Sequence, residues 1–282
     1  MKLTSHPIHG RKLTGFTLIE LLVVIIIIAA LAALVVPNVG SFGRSTDMAV
    51  SAKTQADIAN NVQQFFVLQK RFPQGLDSLI TTTGTAPAVP GEIYLSDATN
   101  GDTQTRGLPI SGAESTDVGA QLDALTLTGN DLKSITRAGF DWVYDHDITA
   151  LNSNISNTTQ RILVKGANGS ADTVVVPPTK FAVVKVDSNL AKKIVPAGLK
   201  TGQQIVAFGF GQKNTAISKT STTTPLYPGA DKTYYGRYIV YFMIYASGER
   251  ATLVGVSDAY GRTPDYTQQQ FNESLPDGAR QG

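Results

Sequence analysis

The chain has 282 residues, 42% hydrophobic and 16% charged, with 26 glycines and 13 prolines; that suits one globular core plus an appendage, with a bias towards strands and loops. It contains no cysteine, which excludes a disulfide framework and any thiolate metal site. The formal charge of +2 owes its sign to Lys2, Arg11 and Lys12, since the other 21 basic residues face 22 acidic ones; a near-neutral remainder has no strong electrostatic reason to bind nucleic acid.

Residues 1–15 carry those three cations and no acidic residue. They precede FTLIELLVVIIIIAALAALVV at residues 16–36, an apolar run interrupted by Thr17 and Glu20 alone. As a helix this run spans roughly 30 Å, the hydrocarbon thickness of a bilayer. The positive-inside rule keeps its basic end in the cytoplasm and exports everything after Pro37. An ordinary secretory signal is the plainest alternative, with ALAAL offering a cleavage region. Against it, the run exceeds the roughly 7–15 residues of such a signal, and a carboxylate near a bilayer centre costs about 2.5–3.5 kcal/mol. Cleavage between Gly15 and Phe16 would supply that carboxylate with a partner, because the new α-amino group stands four residues before Glu20 on the same helix face. The pair can form within one chain or between neighbouring chains at slightly different heights.

KLTG followed by FTLIELLVV resembles the class III signal and N-methylation motif of type IV pilins and type II secretion pseudopilins. The resemblance covers residues 11–40. It implies that a prepilin peptidase cuts after Gly15, that residues 1–15 are a leader peptide, and that Phe16 becomes the N-methylated mature terminus. It further implies that Glu20 is the glutamate used in filament assembly and that Pro37 is the family's common proline; Ala29 stands where many relatives have glycine. The partners implied are the prepilin peptidase, copies of the chain or other pilins, an inner-membrane assembly platform, and the cytoplasmic membrane. The chain would cross that membrane once before assembly, with its domain exported.

Pro37 lacks an amide donor and crowds the preceding turn, so a kink or break is expected near residues 33–37. Residues 37–71 read as the amphipathic half of the long helix: Met48, Ala52, Ala56, Ala59, Val62, Phe66 and Gln69 recur mostly at three or four. Phe72 before Pro73 disfavours its continuation. The following QKRFPQGLDSLI resembles the segment after the long helix in major pseudopilins. Residues 72–140, rich in Thr, Gly, Asp and Pro, read as a variable loop region with short helical possibilities at 76–81 and 117–137. Within them Asp97, Asn100 and Asp102 are candidate oxygen ligands for calcium, a stabiliser in the major pseudopilins that the chain resembles. Without an EF-hand's distal glutamate, a polar Asx-rich turn is the preferred reading, and no other cofactor is expected.

From 141 to 282 strand-like runs accumulate: TRAGFDWVYD (which starts slightly earlier), RILVKG, DTVVVP, KFAVVKV, QQIVAFGF, YYGRYIVYFMIYA and RATLVGV. Their β-branched and aromatic content predicts an antiparallel sheet, with ASGER at 246–250 as a hairpin turn and an irregular tail after Ser257. A long N-terminal helix on such a sheet is an α+β architecture, the pilin fold that the resemblance implies. His146 stands alone outside the first fifteen residues, flanked by Asp145 and Asp147. A Ser-His-Asp triad would have to use it, but the run reads as a solvated turn and no enzyme is expected. No phosphate-binding loop is present. Asn154, Asn157, Asn168 and Asn272 open Asn-x-Ser/Thr triplets that mark surface positions at most. The expected function is that of a structural subunit of a type IV pilus-like filament. The alternatives are a pseudopilin of a type II secretion system and a signal-anchored binding protein that never polymerises.

Overall fold

A computed structural model of the chain describes residues 17–80, 118–127, 129–144, 161–163, 180–227 and 235–264, without the side chains of 33–45, 144 and 161–163. The chain divides into two compact units, Met1–Thr46 and Asp47–Gly282. Helix α1 (Leu18–Gln69) contributes its first part to one unit and its second part to the other.

In the first unit α1 is helical from Leu18 onwards, and helix is assigned without interruption through Pro37. The chain therefore does not break at the proline. Leu21 through Ile28 are each 48–59% exposed, so no face of this stretch is covered by the rest of the chain. Among the described residues no helix is long and apolar enough to cross a membrane; the described side chains of the run end at residue 32, four positions short of Val36.

In the second unit α1 buries Ser51, Gln55, Ile58, Val62 and Phe65. These positions recur at three and four, as one face of a helix must. The buried stripe is not the one that the alanine spacing predicts: Ala56 and Gln69 are exposed, and of the predicted positions Val62 alone is buried. Ile58 and Phe65 decide the rotation, because each fully buried side chain of that size contributes about 1.5–3 kcal/mol and an alanine far less. The helix ends at Gln69, with Lys70 in the left-handed region (φ 58°) and its N–H donated to the Phe66 carbonyl at 2.8 Å.

The sheet holds five strands in the order β1 (Leu122–Thr126), β4 (Lys180–Val184), β5 (Gln203–Gly209), β6 (Ile239–Tyr245), β7 (Thr252–Ser257), every neighbouring pair antiparallel. A separate ribbon pairs β2 (Trp142–Tyr144) with β3 (Arg161–Leu163). β5 and β6 pair along their full length, from Gln203 opposite Tyr245 to Gly209 opposite Ile239. The β6–β7 connection falls at the expected turn, and a bulge interrupts their register between Tyr241 and Phe242.

Both faces of the sheet are buried. On one, Val206, Phe208, Val240, Phe242 and Ile244 join Ile58, Val62 and Phe65 of α1. The Phe242 ring is the hub, its centroid 4.8 Å from that of Phe72 and 4.8 Å from that of Phe140. On the other, Ile205, Ala207, Ile239 and Tyr241 meet Leu190 and Ala191 of α3 (Asn189–Ile194), with Val118 and Leu122. Helix α3 starts at Ser188, whose hydroxyl accepts from the Ala191 amide at 3.1 Å.

Residues 72–140 contain more order than the loop expectation allowed. The helical possibility at 117–137 resolves into a 3-10 turn (Val118–Gln121), strand β1 and helix α2 (Gly129–Arg137). The strand wins over the helix propensity of Leu-Asp-Ala-Leu because β4 offers it a full antiparallel partner. No helix forms at 76–80. Residues 72–80 are an irregular, wholly buried strap instead, with Gly75 and Leu79 in the left-handed region and Asp77 bridged to Gly209 through hydrogen bonds of 2.8 and 2.9 Å. Phe72 and Leu76 of the strap belong to the α1-side core, Leu79 and Ile80 to the opposite core.

Candidate assembly site at the start of the long helix

The first turn of α1 is closed by its own side chains. The Thr17 amide and hydroxyl both donate to Glu20 Oε2, at 2.8 and 2.9 Å, and the Glu20 amide donates to Thr17 Oγ1 at 3.4 Å. The Glu20 and Leu21 amides also reach the Thr17 carbonyl, at 3.1 and 3.2 Å. This is a capping box, in which threonine at the cap and glutamate three residues on satisfy each other's orphan amides. Thr-x-x-Glu ahead of an apolar run is its sequence signature. Among the described residues Glu20 Oε1 has no hydrogen-bond partner.

Around this one polar turn the surface is apolar, with Leu18 84% and Ile19 69% exposed. Uncovered leucine, isoleucine and valine on every face of a helix mark a surface that meets lipid or another protein. The site is thus an uncovered apolar rod with a carboxylate held at its first turn.

The other residues singled out in the sequence fare differently. Gly15 and Phe16 lie outside the described residues, as do Asp97, Asn100 and Asp102, His146, and the four triplet asparagines. Pro37 is inside α1, with its side chain outside the description. Among the described residues no group of three or more His, Cys, Asp or Glu side chains is placed to hold a metal ion.

The domain also holds an ionisable cluster that no local sequence signal marks. Asp258 is fully buried after β7 and receives the Arg262 Nε–H at 2.7 Å, together with the Tyr260 and Arg262 amides at 2.9 and 3.0 Å. The Arg262 guanidinium lies 4.8 and 4.9 Å from the ring centroids of Tyr227 and Tyr260. Burial pushes the Asp258 carboxyl above its usual range, and the ion pair with Arg262 and the amide donors pull it part of the way back. The half-buried Lys193 is shifted down by burial and partly restored by the same carboxylate. The buried Asp258 carboxylate thus meets a cation and two amides, the pairing that a buried charge requires.

Comparison with known proteins bears on the first of these sites. Residues 11–36 match the family model of the prokaryotic N-terminal methylation motif. Over 80 residues, 27% of the chain, the sequence is 35% identical to the type II secretion system core protein G of Aeromonas hydrophila. That stretch covers 56% of the relative, so the chain spans about half the length of the curated protein it matches. No solved structure matches the chain. At the head of its long helix the chain thus carries the prokaryotic N-terminal methylation motif, and over 80 residues it is similar to a core protein of a type II secretion system.

Proposed function

We propose that the chain is a structural subunit of a type IV pilus-like filament, inserted in the cytoplasmic membrane through residues 16–36 and assembled through the same helix. The observation that carries this reading is the apolar first part of α1, exposed on all sides in the isolated chain and headed by a methylation motif. In the bilayer, lipid covers that surface; in a filament, equivalent helices of other subunits replace the lipid. A prepilin peptidase cuts between Gly15 and Phe16, Phe16 is methylated, and Glu20 pairs with the new amine of a neighbouring subunit. Pro37 bends the helix where it leaves the membrane. The chain serves as scaffold, not as catalyst.

A type II secretion pseudopilus is the second reading, favoured by the similarity to core protein G. N-terminal sequencing and electron microscopy of sheared material test the proposal. Methyl-Phe16 in filaments that contain the chain is the expected result. An intact Met1, or a terminus beyond residue 30, would overturn it. Loss of exoprotein release on deletion, with no long surface fibres, selects the secretion reading.

A further inference from the structure

We propose that residues 47–57 of α1 form a releasable arm, which lifts off the sheet along a polar seam while residues 58–69 stay docked. The motion belongs to the domain and does not depend on which filament the chain joins. The buried face of α1 changes chemistry along its length. Towards its C-terminal end it presents Ile58, Val62 and Phe65, packed with Val206, Val240 and Phe242 of the sheet. Among residues 46–57 the only buried side chains are Ser51 and Gln55, both polar, while Asp47, Met48, Ala49, Ala52 and Thr54 are half-buried.

These polar side chains bond along the helix and leave the seam unsatisfied. Gln55 Nε2 donates to Ser51 Oγ at 3.1 Å, and Gln55 Oε1 is buried with no hydrogen-bond partner among the described residues. From the sheet side the Tyr238 hydroxyl faces Ser51 and Thr54, but it is also buried without a hydrogen bond. Thr54 Oγ1 donates instead to the Val50 carbonyl at 2.7 Å. A buried polar atom without a partner has given up its hydration for nothing, and opening the seam returns both atoms to water. Parting Val62 and Phe65 from the sheet has the opposite sign, because it exposes apolar surface.

The arm does not need the sheet to stay helical. Lys53 and Asp57 pair across one turn at 3.9 Å, and the Val50–Thr54 and Ser51–Gln55 bonds run the same way. A gap of one water diameter at Ser51, seven residues before Ile58, needs a bend of roughly 15°. That lies below the sharp kinks for which a helix requires proline or glycine. The arm therefore moves as helix, with Ile58 as its pivot.

The chain has no cysteine, so single thiols report the seam in the full-length protein in detergent micelles. Ser51→Cys should be alkylated through an opening that urea barely accelerates, whereas Val62→Cys should react only through global unfolding, at a rate that climbs steeply with urea. Adding Gln55→Met and Tyr238→Phe keeps the shapes and removes the unpartnered atoms, and should slow the thiol at position 51 roughly tenfold. The same urea dependence at both positions, urea-independent reaction at position 62, or no slowing on adding the two apolar substitutions would each overturn the proposal. A reading free of cysteine comes from 3-fluorotyrosine in the wild-type chain. Tyr238, assigned through Tyr238→Phe, should show a solvent isotope shift that Tyr241, bonded to Ser257 Oγ at 2.7 Å, does not; no shift at Tyr238 would overturn the proposal as well.

Discussion

Glu20 and Asp258 are both carboxylates held by hydrogen bonds from nearby backbone, but one stands on an exposed helix turn and the other is fully buried. At Glu20 the neutral isostere can still accept from Thr17, so Glu20→Gln should keep the helix start while Glu20→Ala loses it; amide exchange at residues 17–21 in detergent micelles checks the difference. At Asp258 the partner matters more. Arg262→Ala leaves a buried carboxylate facing Lys193 and Tyr227 without its ion pair, and should destabilise the domain by about 3 kcal/mol or more, read as a fall in the denaturant midpoint. Because burial raises the folded Asp258 pKa above its unfolded value, its favourable contribution is fully present below the unfolded value and is lost as pH rises through the folded one. The Arg262→Ala domain should therefore lose stability from acid towards neutral pH more steeply than the wild type. The Thr-x-x-Glu box could be read directly, since its partners are three residues apart. Asp258 could not, since nothing near it in the sequence announces that β7 ends in the core.

At the scale of elements, the strap at 72–80 depends on two residues. The Gln74 side chain donates to the Phe72 and Gly139 carbonyls and accepts from the amides of Asp141 at 2.6 Å and Trp142 at 3.2 Å. Gln74→Ala strands several of these groups at once and should cost about 2–3 kcal/mol of domain stability. Gly75 sits at φ +72°, and a Cβ there would lie 2.6 Å from the Trp142 ring and 2.9 Å from the Lys213 carbonyl. Gly75→Ala should thus displace Trp142, and as Trp142 is the sole tryptophan, its fluorescence reports the displacement directly. The strap was legible as a conspicuous segment, through Phe-Pro and Gly-Leu, but not as a buried one, because its backbone partners lie far along the sequence. The amphipathic half of α1 was legible as helix, and its buried face was set one position away by whichever large side chains met the sheet.

For the whole molecule, the division at residues 46 and 47 separates a part whose described apolar side chains are exposed from one with its own core. Residues 47–282 expressed alone should fold cooperatively and remain monomeric without detergent, while the full chain should aggregate unless detergent or lipid covers residues 18–32. Size-exclusion chromatography with thermal melts of both forms checks this. What the sequence determined by itself was local: the length and polarity of the apolar run, the cap at its head, the motif at 11–36, and the presence of strands. Those features follow from residues within a turn or two of one another. Tertiary structure alone decided that the sheet is covered on both faces, that β1 is recruited from a segment with helical leanings, and that the strap crosses from one core to the other. Their partners lie far apart in the chain, Gln74 with Thr215 across 141 residues and Asp77 with Tyr235 across 158. Contacts of that range are chosen by packing and hydrogen-bond satisfaction in the folded state, where local propensity differences of under 1 kcal/mol per residue are easily overridden.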